Sequence, residues 1–362
     1  MSAEPSRILI HRLGSLGDTL VALPCLHLIE RCFPRAERRL LTNFPVHAKA
    51  PASAAVLGES GLVHGYMRYA VGTRNPAELL RLALEIRRFR PDLLICLMPI
   101  RSPRQLRRDL AFFRFACGIR HIVGASAATH SARRRDPATG LYQPESHRLA
   151  ELLQPLGDAA PDDLHNWDLR LTDAEHARAA AALAPLHDAP LLVCGPGTKM
   201  QAKDWGADNW RALLARLHIH HPDHGLAFIG AAEDSPVAEH AAAGWAGRSV
   251  NLCGALTPRQ TAAVLARARL FLGPDSGPMH LAAAVGTPAV IAFSARGLPG
   301  VWFPVGSRHR ILYHQVSCYG CNLETCTTQQ RRCLTSIAPE EMFDACESVL
   351  RSQPNGNSYQ PG

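Results

Sequence analysis

The chain has 362 residues, 47% of them apolar and 6% aromatic, and carries a formal charge of +8. That length suits two domains of roughly 150–180 residues each, with cores filled by Leu, Ala and Val. No stretch reaches the roughly 20 apolar residues of a membrane-spanning helix, because the most apolar run, "HLAAAVGTPAVIAF", is broken by Gly286 and Pro288.

In chain order, strand and helix signals alternate. Residues 7–13 read as a strand and 18–33 as a helix, and strand signals follow at 38–42 and 63–69. "NPAELLRLALEIRRF" reads as a helix capped by Asn75, with Pro76 first and Glu78 in a capping-box position. "PDLLICLMP" and "HIVGA" are apolar runs of buried-strand type, and a polar, Arg-rich loop fills 126–145. A second block opens with the Thr172–Glu175 cap signal. It continues as strand 191–195, helix 208–219, strand 226–230, a helix near 235–243, strand "SVNLC" and helix 258–268, then strand "LFLG", helix 278–285 and strand "AVIAF". Such alternation implies parallel sheets with right-handed crossovers.

The expected architecture is therefore α/β, with two Rossmann-like domains whose parallel sheets face a central cleft. The domains are expected at 1–160 and 171–335, joined by the Pro- and Asp-rich 155–171, with a C-terminal helix at 336–351 and a flexible tail at 352–362. The N-terminus lacks the pattern of a secretory signal, so a cytoplasmic location is expected. The segment 101–114 holds five arginines, and Phe112, Phe113 and Phe115 lie among or beside them. It reads either as solvated surface or as a face meeting phosphate-rich material, such as the inner face of a bacterial membrane. No nucleic-acid recognition motif accompanies these arginines.

Four loops carry chemistry, and all are expected at strand ends, where ligands of open parallel sheets gather. In "HRLGSLGDTLVALPCL" (11–26), Gly14 and Gly17 permit backbone conformations closed to other residues and Asp18 stands at a helix start. Taken alone, Asp18 is also an ordinary helix cap. In "GPGTKMQAKDW" (195–205), Thr198, Lys199 and Lys203 follow a glycine-rich turn of the kind that suits a phosphate, without Walker A spacing. In "GPDSGPMHLAAAVGTP" (273–288), Asp275, Ser276 and Gly277 make a tight turn into a helix, an anion site that His280 in the first turn can reach. The fourth loop spaces Cys318, Cys321, Cys326 and Cys333 as a candidate tetrathiolate for structural Zn or Fe, with a redox pair or idle thiols as the alternatives. The other seven of the eleven cysteines read as small core residues.

The first three loops, in this order and separation, resemble glycosyltransferase family 9, the ADP-heptose:lipopolysaccharide heptosyltransferases. "RLGSLGDTLVALPCL" resembles the family's N-terminal signature, "PGTKMQAKDW" its donor phosphate loop and "DSGPMHLAAAVGTPAVIAF" its most specific motif. The resemblance implies a GT-B fold, with the acceptor on the first domain and the nucleotide sugar on the second. It also implies inversion at the anomeric carbon and catalysis without a metal. Asp18 corresponds to the catalytic base. Thr198, Lys199 and Lys203 fall in the donor-diphosphate loop, with Lys203 also counted as catalytic. Asp275, Ser276, Gly277 and His280 match the donor loop, Glu233 the residue on the nucleoside hydroxyls and Leu256 a neighbour of the base. Gly14 and Gly17 are counted with the donor-binding set. The cysteine loop resembles the metal finger of autotransporter heptosyltransferases. Lys199, Pro278 and Met279 depart from the commonest residues of the family, which bears on the sugar's identity. The expected activity is heptose transfer from ADP-heptose to a hydroxyl of a lipopolysaccharide-core or related glycan acceptor. The alternatives are a sugar-nucleotide epimerase or hydrolase on the same frame, or a non-catalytic nucleotide-sugar-binding protein.

Overall fold

The structure is a computed structural model that describes residues 4–43, 52–70, 72–126 and 133–353. Residues 354–362 of the expected flexible tail and 127–132 of the 126–145 loop lie outside the described residues. The chain divides into two units: Met1–Asp136 with Gln143–Trp167, and Pro137–Tyr142 with Asp168–Gly362.

The first unit runs β1 (Arg7–His11), α1 (Leu16–Leu20), α2 (Leu23–Cys32), β2 (Glu37–Asn43), α3 (Ser53–Leu57), β3 (Gly65–Tyr69), α4 (Pro76–Phe89), β4 (Leu93–Cys96), α5 (Pro103–Ala111), β5 (His121–Val123) and α6 (Glu145–Leu152). Among the described residues its strands form a parallel sheet in the order β3-β2-β1-β4-β5. Ile8, Leu9, Ile10 and Leu93–Ile95 are buried on both faces, as parallel sheets covered by helices require.

The second unit runs α7 (Asp173–Leu183), β6 (Leu191–Cys194), α8 (Ala207–His220), β7 (Gly225–Phe228), α9 (Ser235–Ala242), β8 (Ser249–Asn251), α10 (Pro258–Leu265), β9 (Leu270–Pro274), α11 (Gly277–Ala284), β10 (Ala289–Phe293), β11 (Arg310–Tyr313), α12 (Arg332–Thr335) and α13 (Pro339–Arg351). Its parallel sheet has the order β11-β10-β9-β6-β7-β8. In each unit the chain builds outward from one central strand, then returns and builds the other way. The reversal falls between β1 and β4 in the first unit and between β6 and β9 in the second. Loops at such a point part and leave a crevice at the strands' carboxyl ends.

Some expected elements are redrawn. The helix expected over 18–33 is two helices, because Pro24 in the first turn of α2 has no N–H to continue a ladder from α1. The segment 155–171 is not a plain linker. It contains two 3-10 turns, and the Trp167 indole is buried, donating to the Pro161 carbonyl at 2.9 Å. The arginine-rich segment is α5 continued by a π-helical turn, Phe112–Ala116. Phe113 is buried there, whereas Phe115 is 80% exposed. Among the described residues no helix is long and apolar enough to cross a membrane.

Candidate active site

In the first unit, the loop after β1 turns at Gly14 (φ +130°) and enters α1 behind Ser15. The Gly14 N–H donates to Asn43 Oδ1 at 2.8 Å, tying the turn to the end of β2. A Cβ on Gly14 would sit 2.2 Å from the Cβ of Asp18, so the glycine makes room for that carboxylate. Asp18 Oδ2 accepts the Ser15 N–H at 2.9 Å, while Oδ1 stands 3.7 Å from the Arg12 guanidinium. The Asp18 side chain keeps 35% of its surface exposed. Asp18 is thus both a cap and an accessible carboxylate at the sheet's reversal point. Gly14→Ala combines a clash with a backbone angle that costs an L residue about 1–3 kcal/mol. It is expected to displace Asp18 and abolish most turnover while circular dichroism stays native; a variant with full turnover contradicts this role for the glycine.

In the second unit, β6 and β9 are neighbours, with Cys194 level with Leu272. Their loops therefore leave the sheet side by side. Lys203 Nζ and Asp275 Oδ2 meet at 3.1 Å, with the two side chains 19% and 8% exposed. The Lys203 turn is held from several sides. The Ser294 hydroxyl donates to the Ala202 carbonyl at 2.8 Å, the Ala202 N–H to the Glu324 carbonyl at 3.0 Å, and Arg331 Nη1 to both Asp204 oxygens, O and Oδ2, at 2.8 and 2.9 Å. Trp205, fully buried, donates its indole N–H to the Ile337 carbonyl at 2.9 Å. An ammonium fixed in this way is preorganised for an anion.

Ser276 caps α11, and its hydroxyl is buried without a hydrogen-bond partner among the described residues. A buried hydroxyl left unpaired is costly, so it is available to a ligand. His280 in the first turn of α11 is 5% exposed. Burial, with smaller contributions from Lys203 and His309, pushes its pKa down to about 3, so the ring is neutral and both gives and accepts hydrogen bonds. Thr198 folds back on its own loop, its hydroxyl accepting the Met200 N–H at 3.4 Å, and Lys199 is exposed.

Glu233 is exposed on a 3-10 turn after β7, and Leu256 is half-buried in the loop after β8. Those two loops touch, because the Gly254 N–H donates to the Gly230 carbonyl at 2.9 Å. The contact with the donor loop is made by Asp234, which sequence reasoning passed over. A Cβ on Gly197 would lie 2.2 Å from the Asp234 carboxyl carbon. Asp234 Oδ2 accepts the Ala231 N–H at 2.8 Å, which fixes it there. The structure therefore brings Lys203, Asp275, Ser276 and His280 together and adds Asp234.

The four clustered cysteines are dispersed in environment. Cys321 is exposed and Cys333 buried, its thiol pushed up by burial. Cys326 Sγ accepts the Arg331 N–H at 3.2 Å, and backbone N–H groups of Arg331, Gln329 and Thr328 pull its thiol pKa down. Among the described residues no three Cys, His, Asp or Glu side chains gather closely enough to hold a metal. The thiolate-favouring cradle at Cys326 suits a soft metal ion, but the four sulfurs do not converge as a tetrathiolate does.

Burial has a further consequence at His11, on β1, whose pKa falls to about 3, chiefly by desolvation and then by the charge of Arg101. Between the ordinary value of 6.5 and about 3, the unfolded chain binds protons at His11 and His280 that the folded chain does not. Stability is therefore full above pH 6.5 and falls as pH drops, by up to about 1.4 kcal/mol per pH unit for each ring. The urea midpoint is expected to be clearly lower at pH 5.5 than at pH 7.5; equal midpoints contradict the burial of neutral imidazoles.

Comparison with known proteins agrees with this layout. The lipopolysaccharide heptosyltransferase 1 of Pseudomonas aeruginosa is 26% identical over 365 aligned positions, covering 95% of this chain and 98% of that protein. The lipooligosaccharide heptosyltransferase 2 of Campylobacter jejuni is 24% identical over 102 residues, so the match spans 28% of this chain and 32% of that relative. The solved structure of E. coli ADP-heptose lps heptosyltransferase II superposes with a TM-score of 0.67 at 17% identity, over 96% of this chain and 99% of that one. Both parallel-sheet units are those of the GT-B class of these heptosyltransferases. The sequence profile of glycosyltransferase family 9 (heptosyltransferase) matches residues 110–331, and the chain belongs to that family.

Proposed function

We propose that the protein is an inverting heptosyltransferase that moves a heptose from ADP-heptose to a hydroxyl of a lipopolysaccharide-core or related glycan. The observation that carries this reading is the Lys203–Asp275 pair at the reversal point of the second sheet, with the unpaired Ser276 hydroxyl beside it. Family membership and the names of the P. aeruginosa and E. coli proteins support the choice of sugar and donor.

In the proposed reaction the acceptor oxygen attacks the anomeric carbon as the bond from that carbon to the diphosphate oxygen breaks. Asp18 takes the acceptor's proton, and ADP leaves with the electron pair. Lys203, the Ser276 hydroxyl and the backbone N–H groups that open α11 receive the negative charge that grows on the diphosphate. His280, neutral and buried, orients the donor by hydrogen bonding rather than by charge. Glu233 or its neighbour Asp234 takes the nucleoside hydroxyls, and Leu256 lies against the base. None of these catalytic roles uses a metal, so adding Mg²⁺ or Mn²⁺ to the assay is expected to leave the rate unchanged. A Zn or Fe ion on Cys318, Cys321, Cys326 and Cys333 would have a structural part, since the same loop supports the Lys203 turn through Glu324 and Arg331. Metal analysis of the purified protein checks its presence.

A peripheral contact with anionic lipid belongs to the same reading. Leu80 and Leu84 lie one turn apart on α4 and are 61% and 44% exposed; Arg81, Arg87 and Arg88 flank them. Arg87 Nη2 donates to the carbonyl of exposed Phe115 at 3.1 Å, which joins this stripe to the arginine-rich segment. Sedimentation with phosphatidylglycerol vesicles, but not with phosphatidylcholine vesicles, is the expected result; equal recovery with both removes the contact.

The test of the activity itself is ADP release from ADP-heptose with and without a heptose-accepting core oligosaccharide. Release that requires the acceptor is expected. Free sugar or an epimer from donor alone would favour the hydrolase or epimerase reading, and donor binding with no turnover a binding protein.

A further inference from the structure

The loop that presents Asp18 rests on a cluster of buried charge, of which only Arg12 falls within a sequence motif. Arg12, the residue after β1, is 3% exposed. Its Nε donates to the Asp18 main-chain carbonyl at 3.0 Å, and its Nη1 to the Leu97 carbonyl at 2.9 Å and to Glu145 Oε1 at 3.3 Å. Its Nη2 is buried with no hydrogen bond among the described residues and lies 3.7 Å from Asp18 Oδ1. Glu145, at the start of α6 and 1% exposed, is gripped in turn by Arg148, through Nε at 2.9 Å and Nη2 at 2.8 Å, and by Arg133 at 2.5 Å. Arg148 also donates to the Met98 carbonyl at 2.7 Å, so the cluster is pinned to the end of β4 as well as β1. Burial alone would raise the pKa of Glu145, but its hydrogen bonds and the three guanidinium charges hold it down at about 2.

We infer that Arg12 is a positioning residue for Asp18, and that Glu145 serves to hold Arg12 in that position. This rests on the reading of Asp18 as the base. Three features separate the arrangement from ordinary core packing. One arm of the Arg12 guanidinium is anchored on Asp18's own backbone, so side chain and turn move together. One oxygen of Asp18 is occupied by the Ser15 N–H, and the unused Nη2 faces the other. The charged groups of the cluster are Arg12, Arg133 and Arg148 against Glu145 and Asp18. Asp18 is thus one of only two carboxylates that face these three cations. A carboxylate fixed within a fraction of an ångström of its reacting geometry is worth far more than a loosely held one.

The experiment compares Arg12→Gln, Arg12→Lys and Asp18→Asn by steady-state kinetics, with ADP-heptose and the core acceptor. Arg12→Gln is expected to lower kcat by about 10- to 100-fold and leave the donor KM within about twofold, because the Asp18 turn loses its anchor while the groups of the second unit are untouched. Arg12→Lys keeps the charge but not the fork that holds the Asp18 and Leu97 carbonyls, and is expected to recover part of the rate. If Arg12→Gln does not fold, Arg12→Lys, which keeps a cation beside Glu145, carries the test and is expected to fold yet remain slower than wild type. Wild-type kcat in Arg12→Gln, or in Arg12→Lys where that alone folds, overturns the inference. Full turnover in Asp18→Asn would instead overturn the base assignment, so the two failures are distinguishable.

Discussion

Asp18→Asn is expected to lower kcat by about 10²–10⁴-fold, the range of a positioned general base, with the affinity for ADP-heptose unchanged. The substitution keeps the shape of the residue, and an amide oxygen can still accept the Ser15 N–H that caps α1. It removes the acceptor for the proton without removing the cap. The cap alone contributes roughly 1 kcal/mol of local stability, so a residue that served only as a cap would leave turnover nearly intact in the Asn variant. Kinetics together with the melting temperature separate the two roles: a large fall in kcat at an unchanged melting temperature supports the base, and unchanged kcat removes it.

Lys203→Met has a double effect that follows from its partner. Losing a preorganised donor to the departing diphosphate is expected to reduce kcat by about 10²–10³-fold. The same change leaves the Asp275 carboxylate, 8% exposed, without its cation. Removing one partner of a fully buried pair costs about 3–5 kcal/mol; with Lys203 partly exposed the loss belongs at or below the lower end. Lys203→Met/Asp275→Asn is therefore expected to regain most of the stability and none of the turnover. Recovery of turnover in the double variant would show that Lys203 acts only as a counter-ion. Thermal melts of the three proteins with parallel ADP-release assays decide between these outcomes.

The alternation of apolar runs and capped helices was enough to read two parallel-sheet units, because doubly covered strands such as 8–10 and 93–95 are apolar throughout and need no long-range knowledge to recognise. The loops were legible for a related reason. Glycines at a strand end followed by a helix start are a local device, and Lys203, Asp275 and His280 sit within a few residues of one. What stayed hidden depends on tertiary contact. Arg12 and Glu145 are 133 positions apart and meet only once α6 folds onto the end of β4. Asp234 looks like an ordinary helix-start residue until Gly197 is seen against it. The break between α1 and α2 was signalled by Pro24, but the apolar periodicity ran straight across it. The cysteine spacing led to an expectation of convergence that the loop does not display. Its backbone instead serves the Lys203 turn, a use that no spacing rule encodes.

The central claim of the proposed function is that transfer is a single displacement that inverts the anomeric carbon. Proton NMR of the glycoside formed from anomerically pure ADP-heptose and a core-oligosaccharide acceptor tests it most directly. The account predicts a product whose anomeric configuration is opposite to that of the donor; a product that retains the donor's configuration would contradict it.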